Sequence, residues 1–109
     1  MKIIFSPPGG GKSFALIRLS HDTKGRIVCA TPWHKQSIIE AAKEMGANIS
    51  LPIVASDLRD GLIDPDAIDE LYIDDLTLVL QTLIHPKYHN KPITIAMERL
   101  DGDVIIDNN

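Results

Sequence analysis

The six residues between Phe5 and Lys12, Ser6-Pro7-Pro8-Gly9-Gly10-Gly11, constrain this chain more than any others. Before them stands a short apolar, β-rich run, Lys2–Phe5; after them comes a helix-forming stretch, Ser13–Ser20. Each proline lacks a backbone N–H and fixes φ, so a strand cannot run through the pair. Three consecutive glycines then open backbone conformations closed to other residues. The order predicts a buried strand, a tightly curled loop and a helix whose N-terminus faces that loop.

The same alternation continues downstream. Arg26–Ala30 is a second apolar run. Thr31-Pro32 reads as an N-cap with proline at the first helical position. Ile38, Ala41, Ala42 and Met45 fall at i, i+3, i+4 and i+7, the spacing of an amphipathic helix, and Gly46 is placed to end it. Pro52–Ala55 suits a short strand, with Ser56 capping a turn of helix through Leu58 and Arg59, and Gly61–Asp66 reads as loop. Leu71-Tyr72-Ile73 predicts a third buried strand ending at Asp74-Asp75, and Leu76–Ile84 a buried helix stopped by Pro86. Pro92–Met97 and Val104–Ile106 complete the set of expected strands. Strands alternating with helices predict an α/β fold with a mainly parallel sheet and right-handed crossovers.

The chemistry concentrates at the first strand–helix junction. Gly11-Lys12-Ser13 matches the second half of the phosphate-loop pattern G-x-x-x-x-G-K-[ST], while Ser6 stands where its first glycine is expected. Glycines let several N–H groups point inward at phosphate oxygens. A helix beginning at the loop adds its positive dipole end. In such a cradle the Lys12 ammonium reaches the outer phosphates and the Ser13 hydroxyl ligates Mg²⁺. The expected nucleotide contacts are Pro8, Gly9, Gly10, Gly11, Lys12, Ser13 and Phe14. An apolar strand ending in an acid, Leu71-Tyr72-Ile73-Asp74, supplies the second element of that chemistry: Asp74 as the Mg²⁺-associated carboxylate, with Asp75 as base or water-positioner. Asp75 is one methylene shorter than the glutamate often found at that place.

These two motifs together resemble those of P-loop NTPases, over most of the chain. The resemblance is strongest to the group of helicases and AAA-type ATPases, and the overall pattern is also similar to small phage-encoded ATP-binding proteins. It implies a three-layer fold with a five-stranded sheet in the order 5-1-4-3-2, built from Lys2–Phe5, Arg26–Ala30, Leu71–Asp74, Pro92–Met97 and Val104–Ile106. It implies ATP or another NTP as ligand and Mg²⁺ as cofactor. Arg99, just past the expected fourth strand, is then either a sensor or trans-acting finger or a surface arginine at a strand end. Cys29-Ala30-Thr31-Pro32-Trp33-His34-Lys35-Gln36 resembles the helicase motif that touches single-stranded nucleic acid. Trp33 is then either a platform for a base or a partly buried anchor at the start of a helix.

Size and charge limit what such a site does. The 109 residues fit one domain, 1–109, without a second motor domain, a helical C-terminal domain or a kinase lid. Weak hydrolysis that needs a protein partner or a homo-oligomer is therefore expected. The alternatives are a non-enzymatic nucleotide-binding module and a small nucleoside or polynucleotide kinase. Residues 1–50 carry seven basic and three acidic side chains, whereas eight acids lie between Asp57 and Asp75, so no broad basic surface for duplex nucleic acid is expected. Apolar residues, 44% of the chain, recur throughout and exclude a disordered polypeptide. One cysteine, Cys29, makes no internal disulfide and reads as core. His85 and His89 have zinc-like spacing, but Pro86 breaks the helix such a site would want. No apolar run approaches the ~20 residues of a membrane span, and the N-terminal apolar run is short for a signal peptide. The cytoplasm is the expected location, that of the host if the chain is phage-encoded.

Overall fold

The computed structural model describes residues 3–5, 11–88, 90–94, 96 and 104–106. Its elements run β1 (Ile3–Phe5), α1 (Lys12–Thr23), β2 (Arg26–Cys29), α2 (Pro32–Met45), β3 (Ile53–Val54), α3 (Ala55–Arg59), β4 (Leu71–Ile73), α4 (Leu76–Leu83) and β5 (Val104–Ile106). Two 3₁₀ turns, Pro65–Ala67 and Pro86–Tyr88, lie between them.

The strands form two parallel sheets. One has the order β3-β2-β4; the other pairs β1 with β5. β2 is central in the first, with Val28 opposite Ile53 on one side and Ile73 on the other. A central parallel strand is covered on both faces, which explains the unbroken apolar run Ile27-Val28-Cys29-Ala30. Successive side chains alternate between faces. Ile27 and Cys29 pack with Leu16 and Ile17 of α1 and Ile38 and Ala42 of α2. Val28 and Ala30 pack with Ala55 of α3 and Val79 of α4. Each fully buried isoleucine contributes roughly 1.5–3 kcal/mol.

Among the described residues the single five-stranded sheet of order 5-1-4-3-2 is not formed, and with it the three-layer P-loop arrangement expected from sequence is corrected. Two local causes are visible. Ile53–Val54 pairs beside Cys29 and Val28, so β2 has neighbours on both sides instead of serving as an edge. Pro92, Ile93, Thr94 and Ala96 belong to no strand, and a proline has no N–H to offer a ladder; Ile95 and Met97 lie outside the described residues. Among the described residues β4 has β2 as its one strand neighbour, and it is not the buried strand expected: Leu71 and Ile73 are 44% and 48% exposed. In α4 only Val79 is buried, with Leu76, Leu78 and Leu83 exposed, so the expectation of a buried helix is corrected too.

Helix ends follow their local chemistry. Thr31 caps α2, its hydroxyl accepting from the His34 N–H at 3.1 Å, and Pro32 follows in the first turn. Gly46 closes α2 at φ +67°, a left-handed conformation that glycine adopts without steric cost. α3 begins directly after Val54, so Ser56 lies inside it and does not cap it. No described helix is long and apolar enough to cross a membrane.

Candidate functional site

The site lies where the C-terminal ends of β2 and β4 meet the first turns of α1 and α2. Gly11 is the N-cap residue of α1 at φ +84°. Among the described residues a Cβ there would meet nothing within 4 Å, so the demand for glycine shown here is that of the backbone conformation. The helix ladder starts at once, with the Ala15 N–H donating to the Gly11 carbonyl at 3.0 Å. Lys12 is the first residue of α1 and Ser13 the second. Pro8, Gly9, Gly10 and Arg99 lie outside the described residues.

Asp74 directly follows β4, and its N–H donates to the Val28 carbonyl at 3.1 Å, so the β2–β4 ladder fixes its backbone. Its side chain is 1% exposed. Ser13 Oγ donates to Asp74 Oδ2 at 2.9 Å, so the residues expected to share Mg²⁺ are brought together across 61 positions. His34 Nε2 lies 2.8 Å from the same Oδ2. Asp74 Oδ1 is buried and has no hydrogen-bond partner among the described residues. A buried carboxylate oxygen left unpaired is costly, and its oxygen is an acceptor for a cation or a water.

That oxygen tests whether the residues suit Mg²⁺. Mg²⁺ keeps several waters and takes one or two protein oxygens together with substrate phosphates. One hydroxyl and one carboxylate with a spare, buried acceptor fit that demand. Among the described residues no group of three or more His, Cys, Asp and Glu side chains converges on a metal position.

Asp75 stands between β4 and α4. Its backbone is left-handed at φ +60°, a region in which aspartate is several-fold enriched among non-glycine residues. It caps α4, with Oδ1 accepting from the Leu78 N–H at 3.3 Å. Phe14, 56% exposed, lies with Arg18 and Asp22 along an open groove on α1 that begins at Gly11. Trp33 is 85% exposed, so it is no buried anchor. His85 Nδ1 accepts from the Lys87 N–H at 3.2 Å, and His89 lies outside the described residues. Cys29 is buried in β2; burial first, then the nearby Asp74, push its thiol up to about 11, against a smaller opposing effect of Lys35. It is an inert core thiol.

His34 is the site residue that sequence reasoning missed. The signal was present: Thr31 as N-cap puts residue 34 at the third helical position, and side chains in a first turn lean back toward the helix N-terminus. There they overhang the strand ends, where Asp74 sits. Comparison with protein-family models, with curated proteins and with solved structures finds no match.

Proposed function

We propose that this chain is a nucleoside-triphosphate-binding protein with weak Mg²⁺-dependent hydrolysis. The observation that carries the reading is the 2.9 Å contact between Ser13 at the start of α1 and the buried Asp74 after β4. A helix-start hydroxyl and a strand-end carboxylate sharing one point are what holds Mg²⁺ beside a phosphate loop. Bound Mg²⁺ would neutralise charge on the outer phosphates. The backbone at Gly9–Ser13 would supply N–H groups to phosphate oxygens, the Lys12 ammonium would reach the outer phosphates, and Asp74 would orient its free oxygen toward the cation.

Hydrolysis is proposed to be slow. An arginine from a second copy, Arg99 being the candidate, or from a protein partner would complete the charge stabilisation, an effect of about 10³–10⁵-fold in this chemistry. The exposed Trp33 ring offers single-stranded nucleic acid a stacking surface. Calorimetry with ATP and Mg²⁺ tests the assignment: Lys12→Ala should weaken binding at least about tenfold, since charge-assisted hydrogen bonds to phosphate are the strong ones. Equal binding by both proteins would sink it.

A second reading, a nucleotide-binding module without turnover, is favoured by Asp75. Its carboxylate is engaged at the N-terminus of α4. Saturable ATP binding with no phosphate release, alone or with single-stranded DNA, selects this reading over the first.

A further inference from the structure

The Asp74 carboxylate has two donors on one oxygen and none, among the described residues, on the other. A carboxylate torsion is broad and roughly two-fold, so an aspartate does not hold its own plane. Here the plane is fixed by what grips Oδ2. Ser13 grips Oδ2 through its single O–H, and its lone pairs stay free to face a cation. His34 grips the same oxygen from a different chain segment.

We infer that His34 is a positioning residue for the Asp74 carboxylate, holding Oδ2 through its Nε2–H so that Oδ1 is presented to Mg²⁺. The inference rests on the nucleotide-site reading above and extends it to a third chain segment. Three observations support it. His34 Nε2 is 2.8 Å from Oδ2. On the far side of the ring the Ala30 N–H points at Nδ1 from 3.5 Å, which makes Nδ1 the acceptor and leaves the proton on Nε2. The main chain of His34 is itself pinned, its N–H donating to Thr31 Oγ1. The ring is thus held at both nitrogens and at its backbone, between the end of β2 and the end of β4. Groups that hydrogen-bond a metal-ligating side chain fix its orientation and tune its affinity.

The experiment uses Mn²⁺ as the probe cation and a non-hydrolysable ATP analogue. Free Mn²⁺ is followed by electron paramagnetic resonance, and analogue affinity is measured separately in EDTA. His34→Ala should lower Mn²⁺ affinity in the analogue complex by about 10–100-fold. His34→Gln, which keeps an N–H donor at similar reach, should remain within about threefold of the unaltered protein. Analogue affinity in EDTA should be the same for all three. His34→Leu replaces the alanine variant should the latter not fold. In the metal-free protein, the imidazole ¹⁵N spectrum should report the Nε2–H tautomer for His34.

Unchanged Mn²⁺ affinity in His34→Ala overturns the inference, as does a loss in His34→Gln as large as in His34→Ala. A parallel loss of analogue binding in EDTA also overturns it, because it makes the histidine merely structural, and so does an Nδ1–H tautomer. If the unaltered protein binds the analogue neither with nor without Mn²⁺, the nucleotide reading itself falls and takes this inference with it. That outcome is distinct from one in which the unaltered protein binds and the His34 variants match it.

Discussion

Gly25 shows how much one missing methyl group can matter. A Cβ at this position would overlap the ring of Tyr72, whose atom Cζ would lie 2.5 Å away. Tyr72 is not free to swing clear. Its Oη donates to Glu70 Oε2 at 2.6 Å and lies 2.5 Å from Thr23 Oγ1. Burial, and then the hydrogen bond to Glu70, raise its phenol above the ordinary value, with a smaller opposing effect of Thr23. The Gly25 backbone is also used, its carbonyl accepting from the buried Ser20 Oγ at 2.6 Å. Gly25→Ala should therefore destabilise the protein by about 1–3 kcal/mol, the ordinary cost of overpacking. A urea midpoint equal to that of the unaltered protein would show that Tyr72 yields without loss.

Among the elements, α2 has the best-defined start. Thr31→Ala removes the acceptor for the His34 N–H and should cost about 0.5–2 kcal/mol, read from chemical denaturation, whereas Thr31→Ser should recover most of it. Both ends of this helix were legible, because the Thr-Pro pair and Gly46 are local signals that need no tertiary context. β4 and α4 were legible in position but not in burial. Leu71-Tyr72-Ile73 has the apolar character of a covered strand, yet hydropathy does not encode sheet order, and among the described residues only β2 flanks this strand. The sheet order failed for a related reason. Ile53–Val54 is only two residues long, and nothing local says on which side of β2 it pairs. That Ser13 and Asp74 come together was legible, because local signals place one at the start of α1 and the other at the end of β4. The place of Asp75 at the start of α4 was also legible, since an aspartate directly before an apolar helix is an N-cap signal. His34 was missed because its role depends on where α2 starts relative to β4, a fact of assembly.

For the molecule as a whole, β2 is the common wall of two apolar clusters, one under α1 and α2 and one under α3 and α4. Ile17 is fully buried in the first and lies on the helix that also carries Ser13. Ile17→Ala should cost about 2–5 kcal/mol in equilibrium unfolding, since rigid neighbours do not fill the cavity. A loss under about 1 kcal/mol would mean that this side of the sheet collapses around the gap. The two hydrogen bonds on Asp74 have a further consequence at this scale. They join positions separated by 61 and by 40 residues, and so close two long loops of chain on a single oxygen atom. Contacts of that sequence separation repay their closure entropy only after the intervening segments have ordered. The carboxylate is thus a checkpoint of assembly, complete only when α1, α2 and the β2–β4 ladder have all come together. Anything that binds it recognises the finished molecule and, by mass action, draws the folding equilibrium toward it.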